Sequence, residues 1–154
     1  AWGHGIVMGG GCGLFAGASH RVVTETTRLA MPEIKIGLFP DCGATWFFSR
    51  LPHYLARFIS LTGATLNSAD VLFAGLAEHG IAHPEKQAVI TALETAQDWD
   101  QPHRTVDRIL AAAEQRSPAA DTADSRLMAA APAMRWSSRT ASTRWPPDMT
   151  TRSA

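Results

Sequence analysis

The chain has 154 residues with fourteen acidic and fourteen basic side chains, so its net charge is zero. One domain with a modest core is the expectation at this length. The neutral balance gives no electrostatic reason for a nucleic-acid or anionic-membrane partner, no apolar run reaches membrane-spanning length, and two cysteines make no disulfide framework, which favours a reduced, cytoplasmic setting.

The opening "AWGHGIVMGGG" has neither the basic start nor the long apolar run of a signal peptide. It lacks an initiator Met and enters strand-like residues almost at once, so it reads as a cut into a longer chain. Twelve Arg against two Lys, with abundant Ala, hint at a GC-rich bacterial coding sequence.

Residues 4–8 read as the end of a buried strand. Gly9, Gly10, Gly11 and Gly13 then predict a tight turn into a short helix over 10–18. "HRVVTE" (20–25) is a second strand, rich in β-branched residues. "RLAMPE" (28–33) is a third extended piece, since Pro32 biases Met31 away from helix. Residues 34–43 form a loop punctuated by Gly37, Pro40 and Gly43. Helices follow over 44–52, ended by Pro52, and over 53–63, with Gly63 as the stop. Asn67 or Ser68 caps the next, with Asp70 in its first turn. Residues 79–82 are extended, and Pro84 opens a helix over 85–97. A last amphipathic helix over 104–116 places Val106, Ile109, Leu110 and Ala113 on one face. Residues 117–154 contain no Val, Ile, Phe or Gly and are mostly Ala, Ser, Thr, Arg and Pro. Such a stretch buries little apolar surface and reads as a disordered or non-native tail, so the expected unit is 1–116.

Two elements carry possible chemistry. Backbone N–H groups in the "MGGGCG" turn can bind a phosphate or polarise a carbonyl oxygen, or the turn can be purely structural. Gly11-x-Gly13-x-x-Ala16 loosely fits a dinucleotide fingerprint, but the helix is short and Glu25 comes too early for the ribose acid. In "MPEIKIGLFPDCG" two acids, Glu33 and Asp41, flank a mostly apolar loop. Each has a plain reading: Glu33 as a surface strand end, Asp41 as a turn residue or helix cap. Beside an oxyanion turn, one carboxylate can attack or activate water and the other can hold water or a hydroxyl. The six histidines have no metal-ligand spacing with the cysteines. Arg50 and Arg57 are surface residues or contacts to an anionic group, and Lys35 either acts on Glu33 or points to solvent.

The stretch "GIVMGGGCGLFAGASHRVVTETTRLAMPEIKIGLFPDCGATWFFSRLP" resembles the crotonase superfamily of enoyl-CoA hydratases and isomerases, in its 3-hydroxyisobutyryl-CoA hydrolase branch. The likeness continues through "LTGATLNSADVLFAGLAEHGI", weakens over 82–116 and ends there. It implies an α/β fold of ββα units in a spiral with outer helices, of which this chain holds part. It implies hydrolysis of a short 3-hydroxyacyl-CoA thioester, as in valine catabolism, with no metal or redox cofactor, coenzyme A being part of the substrate. Gly10 and Gly11 fall in the oxyanion and substrate-binding turn, Glu33 matches the catalytic carboxylate, and Asp41 matches the second acid, which binds the substrate hydroxyl or the attacking water. A homo-oligomer is a further implied possibility. Hydratases with this motif carry Glu where this chain has Gly13, and Gly where it has Asp41. Strands that precede this stretch in relatives, with a second oxyanion donor, are missing. The alternatives are therefore a hydratase or isomerase of the same fold, or a remnant without activity.

Overall fold

The computed structural model describes residues 1–118, 125 and 127. Strands β1 (Trp2–Gly3) and β2 (Ile6–Met8) lie on either side of a bend at Gly5. Helix α1 (Gly10–Ala16) follows, then β3 (Val22–Val23) and β4 (Arg28–Ala30). A 3-10 turn (Glu33–Ile36) leads through a loop to α2 (Ala44–Phe48), α3 (His53–Thr62) and α4 (Ser68–Phe73). Strand β5 (His79–Gly80), a 3-10 turn (His83–Glu85), α5 (Lys86–Thr95) and α6 (Pro102–Arg116) complete the described elements.

Among the described residues all strand pairs are parallel. β3 lies between β1 and β5, with Trp2 opposite Val22 and Val22 opposite His79. β2 pairs with β4, with Val7 opposite Leu29, and Leu29 exchanges both backbone hydrogen bonds with Leu66 on its other side. The α/β architecture with outer helices is the one expected of the sequence, and the parallel pairing is added by the structure. One detail differs: the strand over 4–8 is not buried throughout, because Val7 points into the core while Ile6 is 77% exposed.

Local chemistry sets most boundaries. Asn67 accepts from the Asp70 N–H at 2.9 Å and Asp70 accepts from the Asn67 N–H at 3.3 Å, a reciprocal capping box at the start of α4. Gly63 closes α3 in the left-handed region. The extended piece expected over 28–33 stops at Ala30, and the expected loop begins as a 3-10 turn instead. Pro32 accepts from the Lys35 N–H at 2.9 Å and Glu33 from the Leu38 N–H at 3.1 Å, so the backbone groups after Pro32 bond locally rather than to a neighbouring strand.

The larger core gathers Phe15, Val23, Leu29, Met31, Phe47, Leu55, Ile59 and Leu76 between α1, the strands, and α2 to α4. The smaller one packs Val22 and Ile81 against Val89, Ile109, Leu110 and Ala113 of α5 and α6, which is the face read from the α6 sequence. The expectation for 117–154 falls almost wholly outside the described residues. Two that are described, Ser125 and Leu127, are buried: the Ser125 hydroxyl (2.6 Å) and the Leu127 N–H (2.9 Å) both donate to the Asp70 carboxylate.

Candidate active site

The site begins where β2 ends. Gly9 sits at φ 54°, ψ −123°, a conformation open in practice to glycine alone. Its N–H extends the β2–β4 pairing to Ala30 at 3.3 Å, while its carbonyl accepts from the Cys12 and Gly13 N–H groups at 2.9 and 3.2 Å. Gly10 and Gly11 thus form the first turn of α1, whose N–H groups have no acceptor within the helix, and both are exposed.

Glu33 reaches this turn from the other side. Met31, fully buried, and Pro32 bring the chain off β4, and the 3-10 turn presents the Glu33 side chain toward Gly9. Its Oε1 lies 3.4 Å from where a Cβ on Gly9 would stand. Its Oε2 is buried and accepts no hydrogen bond from the described residues. A carboxylate oxygen held out of water without a donor is an unusual and costly arrangement, and it sets Glu33 apart from an ordinary strand-end acid.

Asp41 is exposed. Its backbone carbonyl accepts from the Ala44 N–H at 2.8 Å, but α2 is capped by Gly43 with no side-chain hydrogen bond, so the Asp41 carboxylate is not a helix cap. It acts on its neighbour instead. Hydrogen bonding to Asp41 pushes the Cys42 thiol pKa up, with loss of water and the charges of Asp41 and Glu33 adding to the effect. Both acids are therefore felt at Cys42, whose sulfur lies 3.8 Å from the Cβ position of Gly10. The structure sets Glu33 against Gly9 and the Cys42 thiol against Gly10, with Asp41 next to Cys42 in the chain, and leaves Gly11 facing open space.

The contact between α1 and the Cys42 loop is tight. A Cβ on Gly13 would stand 2.4 Å from the Cys42 carbonyl oxygen and 2.9 Å from its Cβ. Gly13→Ala should therefore destabilise the chain by about 1–3 kcal/mol through overpacking and displace the loop that carries Asp41. Urea unfolding of the variant gives the first effect, and a changed alkylation rate of the exposed Cys42 at retained fold the second.

Below this contact lies Cys12, fully buried. Burial pushes its thiol pKa up to about 12, with the Glu33 and Cys42 charges acting in the same direction. The unfolded thiol ionises near its ordinary value of 9.0 and the folded one near 12. Between those limits the unfolded chain binds fewer protons, so stability present below pH 9 is lost as pH rises, by roughly 1.4 kcal/mol per unit. Urea midpoints measured across this range should fall, and fall less steeply in Cys12→Ala.

Lys35 does not turn toward Glu33. Its Cε lies 3.5 Å from the Cβ position of Gly63, at the C-terminal end of α3 where a cation is favourable. Arg50 stacks on the Trp46 ring at 3.8 Å and donates to the Trp46 carbonyl, and Arg57 is exposed. Between the acids, Ile36 and Phe39 present apolar side chains to solvent. The histidines sit elsewhere: His4 stacks on His83, His20 on His103, and His79 pairs with Glu114. Among the described residues no three His, Cys, Asp or Glu are placed to hold a metal ion, and no helix is long and apolar enough to cross a membrane. Sequence reasoning treated Cys42 only as half of an unlikely disulfide. The available signal was its place between Asp41 and Gly43, in a turn short enough to force a left-handed residue.

Comparison with known proteins places the chain in a family. Residues 1–142 match the family described as Enoyl-CoA hydratase/isomerase. A probable 3-hydroxyisobutyryl-CoA hydrolase of Arabidopsis thaliana is 48% identical over 91 residues, covering 59% of this chain and 23% of its own length. The mitochondrial 3-hydroxyisobutyryl-CoA hydrolase of Homo sapiens is 48% identical over 87 residues, 56% of this chain and 22% of its own. The small ribosomal subunit protein mS47 of Neurospora crassa is 49% identical over 75 residues, 49% of this chain and 15% of its own. Among solved structures, a carnitinyl-CoA dehydratase from Mycobacterium thermoresistibile superposes with a TM-score of 0.61 at 40% identity, covering 76% of this chain and 32% of that one. The chain thus spans about a quarter of the length of these hydrolases. With its parallel strands, its glycine turn and the acid facing it, this chain belongs to the enoyl-CoA hydratase/isomerase family.

Proposed function

We propose that the site hydrolyses a short 3-hydroxyacyl-CoA thioester such as 3-hydroxyisobutyryl-CoA. The observation that carries the reading is Glu33, whose Oε1 lies 3.4 Å from the Cβ position of Gly9 and whose buried Oε2 has no hydrogen-bond partner among the described residues. In the proposed reaction the thioester oxygen takes the Gly10 N–H, with Gly11 lining the same turn. Glu33 either attacks the carbonyl carbon or removes a proton from the water that does. The C–S bond breaks and coenzyme A leaves as a thiolate and takes up a proton; where water attacked, the free acid remains, and where Glu33 attacked, a second step in which water cleaves the mixed anhydride releases the acid and restores the carboxylate. Asp41 holds the substrate hydroxyl or the attacking water.

Hydration of an enoyl thioester is the rival. It calls for a second glutamate at position 13, and the Cys42 backbone occupies the space that any side chain there would need. Hydrolysis needs no side chain at that position. This favours the hydrolase branch, in line with the names of several relatives. A second reading, as a protein without activity that packs within a larger assembly, draws on the relatives named small ribosomal subunit protein mS47.

Asp41→Asn tests the assignment. Hydrolysis of the 3-hydroxyacyl thioester should fall by about 10²-fold or more. A thioester lacking the hydroxyl should lose less if Asp41 binds the hydroxyl, and as much if it binds the water. Equal activity of Asp41→Asn and the unchanged chain on both substrates would remove Asp41 from the mechanism.

A further inference from the structure

We propose that Cys42 is a specificity-determining residue of the thioester site, a wall whose side chain limits the room beside the acyl carbon. The proposal rests on the hydrolase reading. Cys42 is the one non-glycine residue among the described residues with a positive φ, at 47°. L-residues avoid that region by about 1–2 kcal/mol, and Gly43 beside it adopts a positive φ without that penalty. A side chain is thus kept at a position where glycine would be easier to build.

That side chain lies against the working part of the site. Its sulfur is 3.8 Å from the Cβ position of Gly10, the proposed oxyanion donor, and its Cβ and carbonyl close off the space over Gly13. Asp41 precedes it in the chain, and Cys42 itself is exposed. A thioester carbonyl held at the Gly10 N–H would sit on the turn that the thiol faces, which in the proposed pose puts the acyl group beside the sulfur. Short acyl groups fit beside it, and groups with a bulkier substituent next to the carbonyl meet the sulfur.

The test is alkylation of the whole chain by iodoacetamide, followed site by site by mass spectrometry. It is run alone, with coenzyme A, and with a thioether analogue of 3-hydroxyisobutyryl-CoA that cannot be cleaved. Buried Cys12 is the unreactive internal control. The analogue should slow Cys42 alkylation about tenfold or more, and free coenzyme A should have little effect. In Cys42→Gly, kcat/KM for a thioester with a bulkier acyl substituent should rise about tenfold relative to the short substrate. Equal protection by coenzyme A and the analogue overturns the proposal, since the thiol would then face the carrier and not the acyl group. No protection while Glu33-dependent hydrolysis proceeds also overturns it and leaves the hydrolase reading intact. Neither protection nor hydrolysis removes both.

Discussion

Glu33→Gln is expected to lower thioester hydrolysis by a factor of about 10²–10⁴ while leaving the melting temperature unchanged or slightly raised. The amide keeps the shape of the side chain but can neither attack a carbonyl nor accept a proton. Stability should not suffer, because Oε2 has no donor among the described residues to lose. An orphaned buried polar atom costs about 1–3 kcal/mol, and a chain that tolerates that cost at one acid has a use for it elsewhere. Thiol release and calorimetry on the same preparation check both halves. A drop of several degrees with activity intact would make Glu33 a structural residue.

Glu78→Ala should destabilise the chain by about 1–3 kcal/mol, because it removes the carboxylate that accepts from both the buried Arg21 guanidinium and the Arg21 backbone N–H. Arg21 is 1% exposed, and its guanidinium Nε donates to Glu78 Oε2 at 3.1 Å while Nη2 donates to Oε1. The Arg21 backbone N–H also donates to Glu78 Oε2, at 2.9 Å. In return the Arg21 carbonyl accepts from the N–H groups of Glu78 and His79 at 3.1 and 3.2 Å. The pair thus fixes the register at which β5 joins β3, and with it the packing of α5 and α6 through Ile81 and Val22. Urea unfolding measures the loss. Replacing both partners with apolar residues should recover most of it, since the desolvation cost goes with them. A loss under 1 kcal/mol in the single variant would mean that Arg21 is satisfied without Glu78.

Much of this architecture is legible in the sequence where local chemistry decides it. Gly63 ends α3, Asn67 and Asp70 form the cap of α4, and the apolar spacing of 104–116 marks the buried face of α6. Strand β5 falls in the extended piece read over 79–82, whereas the two-residue strand β1 is not read from the sequence and is defined by its pairing with β3. The same holds for Asp70, whose capping role is local but whose bonds to Ser125 and Leu127 join residues 55 and 57 positions away. At the site, the residues alone left the plain readings of Gly10, Gly11, Glu33 and Asp41 open, and only the resemblance of the motif gave them roles. What it could not carry is the 3-10 turn that points Glu33 at Gly9, or the packing of Gly13 against the Cys42 carbonyl. Both depend on how α1, β4 and the 41–43 loop meet, which is a property of three segments at once.

One paired assay tests the central claim most directly. The chain is offered 3-hydroxyisobutyryl-CoA and a matching enoyl-CoA in separate cuvettes, and free thiol and enoyl absorbance are followed together, with Glu33→Gln as control. The account predicts thiol release from the 3-hydroxy substrate, abolished in the variant, and no loss of enoyl absorbance. Loss of enoyl absorbance without thiol release would contradict it.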